Sequence, residues 1–322
     1  MALYGYTIGE DRDSNASNGK QLDVYRFLIP SAPTGSITPT KVGTIDIAGT
    51  VTNADLEGLA TNPTTGNVIA VNEARATNPP NPIDPVVIVA NVDQKSITSP
   101  THTPSDLHRF GFESGADFSK QQNALYNISG NKTANLGGEP VGSSLYKITT
   151  GNPGTISLVD GFGPATTAAQ RQGTQPTNPG KFADGLAIDN LNPGKTRAFA
   201  SDFHTSDGNG NNLYKVDLLT GELSAPIALR TPSGQPLNVN ADSDLSFTNF
   251  GSQRLIGWLE TGAVYEITGY QDELAASGLT LGSATGSNGA GFATATLLGN
   301  VTLPNALATT PVQYEGFTIA NK

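Results

Sequence analysis

Apolar residues fall in short runs that recur along the chain, many of them beginning or ending at an acid. The first kind of run opens with an acid, then a small or apolar residue, then alternation. It occurs as Leu56-Glu57-Gly58-Leu59, Ala116-Asp117-Phe118-Ser119, Ala183-Asp184-Gly185-Leu186, Ser243-Asp244-Leu245-Ser246 and Tyr314-Glu315-Gly316-Phe317. The acids are 60, 67, 60 and 71 residues apart, and 64 apart through the joined termini. A second run ends in an acid: Val68 to Glu73, Arg197 to Asp202, Leu255 to Glu260, and Ala2 to Glu10, whose partner motif lies at the far end of the sequence. The remaining copy, Ala124 to Ser129, ends at Gly130. A third run carries a tyrosine, as in Val24-Tyr25-Arg26-Phe27, Leu145-Tyr146-Lys147-Ile148, Leu213-Tyr214-Lys215-Val216 and Val264-Tyr265-Glu266-Ile267, with Val86 to Val92 in its place once. A weaker fourth run closes each unit. Period-two alternation bounded by turn residues predicts strands throughout.

Four short strands repeated five times predict an all-β, five-bladed β-propeller with four-stranded blades. The expected units are about 54–99, 113–160, 182–229 and 242–303. The last blade closes by pairing of a C-terminal strand, 313–322, with N-terminal strands in 1–47, which leaves no free edge at the seam. The whole chain, 1–322, reads as a single domain.

Composition supports the strands and narrows the chemistry. Of 322 residues, 37 are glycine and 21 proline, and only 14% are charged. Asn, Ser and Thr supply polar turns. The chain has no cysteine, which excludes disulfides, thiolate metal sites and cysteine catalysis. Cysteine avoidance with a single methionine points to an extracellular or periplasmic protein. The net charge of −10 argues against nucleic acid, where a basic face supplies the affinity. No membrane span is expected, because the longest uncharged stretch, 274–313, is broken by Gly, Ser, Thr and Asn. Residues 1–30 show no signal peptide.

Both acids of each repeat are expected at one mouth of a central channel. The inner ring is Glu57, Asp117, Asp184, Asp244 and Glu315; the outer set is Glu10, Glu73, Asp202 and Glu260. Two readings of these acids stand. Oxygen-only ligands suit a divalent cation, Ca2+ first, which also relieves the repulsion among carboxylates. Alternatively each acid accepts backbone N–H bonds from a neighbouring blade and serves packing. The loops at Asp11–Asn15 and Asp207–Asn211 have alternating oxygen donors but carry Leu22 and Leu218 where a calcium loop has glutamate. His204 falls at the same face as Asp202 and is a candidate general base. His102 and His108 lie in a loop entering that face. Arg12 and Arg75 follow the outer acids, where they either hold a small anionic substrate or pair with Glu10 and Glu73.

The stretch Asp55-Leu56-Glu57-Gly58-Leu59-Ala60, followed by Thr65-Gly66-Asn67 and by Val68 to Glu73, resembles the secreted bacterial esterase-like phytase propellers. It is also similar to the regucalcin/gluconolactonase and paraoxonase group. The resemblance implies that a glutamate opening an innermost strand ligates calcium, which here matches Glu57 and Glu315. In those families calcium polarises a phosphoryl or lactone oxygen and lowers the pKa of a bound water. This chain has five repeats where those families usually have six. The expectation is an extracellular cation-binding propeller acting as a binding or scaffold module toward a glycan or cell-surface partner. The alternative is a Ca2+-dependent hydrolase of phosphoesters, esters or lactones, with His204 and Arg75 in its site.

Overall fold

The computed structural model describes residues 2–9, 21–46, 56–72, 89–91, 96–98, 115–129, 135–136, 139–140, 143–149, 156–160, 163–164, 181–191, 198–203, 210–271, 291–304 and 312–321. Strands dominate them. The first group is β1 (Leu3–Ile8), β2 (Gln21–Leu28), β3 (Gly35–Ile37) and β4 (Thr40–Asp46), and the second β5 (Leu56–Thr61), β6 (Val68–Asn72), β7 (Val89–Asn91) and β8 (Ser96–Thr98). Next come β9 (Gly115–Ser119), β10 (Ala124–Ser129), β11 (Asn135–Leu136), β12 (Glu139–Pro140), β13 (Ser144–Ile148), β14 (Ile156–Asp160) and β15 (Gly163–Pro164). Then follow β16 (Gly185–Ile188), β17 (Ala198–Asp202), β18 (Asn212–Val216) and β19 (Ile227–Arg230). The series ends with β20 (Ser243–Phe247), β21 (Leu255–Leu259), β22 (Ala263–Thr268), β23 (Phe292–Val301) and β24 (Phe317–Asn321).

Hydrogen bonding sorts these into a sheet β24-β1-β2-β4, a sheet β5-β6-β7-β8, a sheet β9-β10-β13-β14-β15, a two-stranded β11-β12 ribbon and one large sheet. The large sheet runs β16-β17-β18-β19-β23-β22-β21-β20, with β3 added alongside β23. The described residues are therefore nearly all β, but the expected five-bladed propeller of separate four-stranded blades is corrected. The units 182–229 and 242–303 are fused by a parallel ladder in which Ala228, Leu229 and Arg230 pair with Phe292, Ala293 and Thr294. The end strands of this sheet, β16 and β20, pack against each other, so it nearly closes on itself. A parallel pair between non-consecutive strands leaves no hairpin signal in the sequence.

The strands read as continuous apolar runs where both faces are covered. β21, Leu-Ile-Gly-Trp-Leu, is buried along its whole length, as are β16, β17 and β20. β23 instead alternates, with Ala293 and Ala295 inward. Its register shifts opposite Val264 and Tyr265, which lets Leu298 turn inward while Leu297 stays 41% exposed.

Two hairpin turns share one design. Asn62 Oδ1 accepts the Thr64 N–H at 2.9 Å, and Gly66 at φ +73° returns an N–H to the Asn62 carbonyl at 2.8 Å. Asp217 Oδ1 likewise accepts the Leu219 N–H at 2.7 Å, and Gly221, also at φ +73°, closes on the Asp217 carbonyl. An Asx side chain starts the turn, and glycine takes the left-handed position without steric cost.

The core lies between sheets. Phe27 stacks on Trp258 at 5.3 Å, and Phe317 stacks on both at 6.0 and 5.9 Å, joining β2, β21 and β24. All three rings are buried, and burial of each large side chain contributes about 1.5–3 kcal/mol. Phe199, Phe247 and Tyr270 form a second aromatic group in edge-to-face contact.

The first strand of each repeat packs on the next in a closed order: β24 on β5, β5 on β9, β9 on β16, β16 on β20, and β20 on β24.

Candidate functional site

The strand registers decide which acids meet. Gly185 pairs with Ser201, and the Asp184 N–H donates to the Ser201 carbonyl, so Asp184 stands across from Asp202. Ser243 pairs with Leu259, and the Glu260 N–H donates to the Asp242 carbonyl, so Asp242 stands across from Glu260 in the same way. In strand register the counterpart of Asp184 is therefore Asp242, not Asp244. Asp242 was missed by the motif reading. Its signal was the spacing: Asp184 to Asp202 and Asp242 to Glu260 are both 18 residues, whereas Asp244 to Glu260 is 16.

Asp242, Glu260 and Glu315 converge, with one carboxylate oxygen from each within 4.8 Å of the others. Asp242 and Glu260 are half-buried and Glu315 is buried. Three pieces of chain hold them: the entry to β20, the exit of β21 and the approach to β24. Gln313 donates from Nε2 to Glu260 Oε2 at 2.9 Å, and the Trp258 indole N–H donates to the Tyr314 carbonyl, so both residues before Glu315 are tied to the β21 end. Asp184 and Asp202 extend the cluster. Burial, then the charges of Asp242 and Asp202, push the Asp184 carboxyl well above the usual carboxylate range. Its Oδ1 accepts the Ser243 hydroxyl at 3.0 Å, and Ser243 and Ser201 hydroxyls lie 3.4 Å apart.

Asp117 and Asp244 do different work. The buried Asp244 accepts the N–H groups of Leu245 and Leu186 on Oδ1, at 2.7 and 3.2 Å, and that of Phe317 on Oδ2 at 2.9 Å. Asp117 accepts Phe118 N–H at 2.7 Å on Oδ1 and Ile188 N–H at 2.6 Å on Oδ2. Ser246 Oγ accepts Ile319 N–H at 3.1 Å. These side chains satisfy outward N–H groups of β16 and β24 that no strand among the described residues takes, which is how a strand edge inside a protein escapes the cost of an unpaired donor. Burial pushes Asp117 up to about 7 and Asp244 well above its ordinary value.

Among the remaining sequence candidates, Glu57 lies in β5 where the register shifts against Leu56 and Gly58, and its side chain is outside the described part. Glu10, Arg12, Glu73, Arg75, His102, His108 and His204 lie outside the described residues, as do the Asp11–Asn15 loop and Asp207 to Asn209.

The arrangement gathers anionic oxygens from three segments at one end of the first strands. Chemically it suits a hard cation held by carboxylates.

No family model matches the chain, and no curated protein matches it. Among solved structures, it is similar to the major allergen Mala s 1 of Malassezia sympodialis, with 11% identity over 79% of this chain and 67% of that one and a TM-score of 0.37. It is also similar to a luciferin-regenerating enzyme, with 13% identity over 83% of this chain and 76% of that one and a TM-score of 0.34. Likenesses this weak carry no argument about the site. Among the described residues, no helix is long and apolar enough to cross a membrane.

Proposed function

We propose that this chain is an extracellular divalent-cation-binding protein, a binding or scaffold module whose ion is Ca2+. The observation that carries the reading is the convergence of Asp242, Glu260 and Glu315 within 4.8 Å. Oxygens at that separation can share one ion at the roughly 2.4 Å distance calcium prefers. The donor set is oxygen alone in a chain with no cysteine. The neighbouring Asp202, whose charge acts on Asp184 alongside that of Asp242, adds to the negative field that would draw a cation in. Asp117 and Asp244 are left out of the ligand set, because their oxygens are engaged by main-chain N–H groups in the core.

A cation here would tie the β20–β21 hairpin to the approach to β24, which lies far from it in sequence, and that is the work of a scaffold. The sequence contains one tryptophan, and Trp258 lies two residues before Glu260 and bonds to the residue before Glu315. Its emission should report occupancy. Calcium titration of chelator-treated protein, followed by Trp258 fluorescence and calorimetry, tests the reading. Saturable binding that is lost in Glu315→Gln and Glu260→Gln supports it; undiminished binding in both variants, or none in the parent protein, refutes it.

A further inference from the structure

Four of the five first strands are joined to their sheet partners by local connections: β5 to β6, β9 to β10, β16 to β17 and β20 to β21. β24 is the exception. It pairs with β1 from Leu3↔Asn321 to Thr7↔Phe317, yet the two strands stand at opposite ends of the sequence. Its departure would leave the hairpins among the described residues intact.

The place it occupies is a built slot. On one side β1 offers its backbone along five residue pairs. On the other, no strand pairs with it among the described residues; Asp244 Oδ2 and Ser246 Oγ accept the N–H groups of Phe317 and Ile319, and Trp258 and Glu260 hold Tyr314 and Gln313. Between them the Phe317 ring fills a pocket walled by Phe27 and Trp258. The floor is Gly5, where a Cβ would stand 2.6 Å from the Phe317 ring. A backbone ladder supplies affinity in such slots, and a pocket for one side chain supplies specificity.

We infer that this slot exchanges its occupant, and that the 312–321 segment of a second copy of the chain can take it through the same ladder and the same aromatic pocket. Exchange of an identical element between copies needs no new interface, because every contact already exists within one molecule.

The test uses the full chain and a fluorescent peptide of residues 312–322, mixed in urea below the unfolding midpoint. Uptake should be seen as a rise in peptide anisotropy. A peptide carrying Phe317→Ala should be taken up more than about a hundredfold more weakly, given the core contribution of a phenylalanine ring. A double variant, Leu3→Cys with Asn321→Cys, pins β24 to β1 when oxidised, with no native cysteine to interfere. Oxidation should abolish uptake and reduction restore it. The inference is overturned by absence of uptake below the midpoint, by equal uptake of the Phe317→Ala peptide, or by equal uptake in the oxidised variant.

Discussion

The Asp244 carboxylate accepts the main-chain N–H of Phe317 on one oxygen and that of Leu186 on the other, at 2.9 and 3.2 Å. One buried side chain thus serves two neighbouring first strands, β24 and β16. Replacing it with alanine strands both donors in the core, at about 1–3 kcal/mol for each buried unsatisfied group. Asp244→Ala should lose about 2–4 kcal/mol in urea unfolding and Asp244→Asn, which keeps one acceptor oxygen, should lose less. A change below about 0.5 kcal/mol in the alanine variant would show that the two N–H groups find other acceptors.

The buried acids also set a direction for pH dependence. The Asp117 carboxyl is pushed up to about 7 from an ordinary 3.8, mainly by burial. Between those values the folded chain keeps a proton that the unfolded chain has released. Stability contributed by Asp117 is therefore greatest at the acid end and falls as pH rises from about 4 to about 7, by ~4 kcal/mol across the window. Asp184 and Asp244 are raised as well and act in the same sense. Urea midpoints should be higher at pH 5 than at pH 8, and Asp117→Asn should narrow the difference. A midpoint that rises with pH over this range would contradict the assignment.

Gly115 opens β9 against the neighbouring repeat, and a Cβ there would lie 2.1 Å from the Asp184 carbonyl oxygen and 2.8 Å from Ile128 Cγ2. Main chain cannot step aside as a flexible side chain does. Gly115→Ala should cost about 1–3 kcal/mol in chemical unfolding, the usual range for overpacking. A neutral substitution would mean that β9 and β16 are farther apart than described.

Most of the longer strands were legible in the sequence, because they are apolar runs bounded by turn residues, whereas the short β3, β11, β12 and β15 carry no such run. Val68 to Glu73 became Val68–Asn72, and Leu213 to Val216 became Asn212–Val216. How the sheets join was not legible. The β19–β23 ladder is parallel and spans residues separated by more than 60 positions, so no turn marks it. The site was half legible. An acid at the start of each first strand was visible, but choosing Asp242 over Asp244 rests on strand register, since Ala241-Asp242-Ser243-Asp244 offers two acids one alternation apart. That two-residue step separates an acid that serves main-chain amides from one that joins Glu260 and Glu315. Asp117 and Asp244 illustrate the packing alternative, and hydrogen bonding, not motif, distinguishes them.

Trp258 joins the core and the candidate site. Its ring stacks with Phe27 and Phe317 while its N–H holds the Tyr314 carbonyl. Trp258→Phe keeps most of the stacking and removes the donor, so it should cost about 1–2 kcal/mol in stability. It should also weaken calcium binding, because Tyr314 precedes Glu315. Unchanged calcium affinity would show that Glu315 is positioned without help from the indole.

Thermal unfolding of chelator-treated protein with and without about 1 mM Ca2+ tests the cation site most directly, at the weak affinities typical of extracellular modules. Binding to the folded state alone at a dissociation constant of about 0.1 mM stabilises by about 1.4 kcal/mol, a rise in melting temperature of ~2 °C or more. The account predicts that rise in the parent protein and its loss in the Glu260→Gln, Glu315→Gln double variant. An unchanged melting temperature with Ca2+ or any other divalent cation would contradict it.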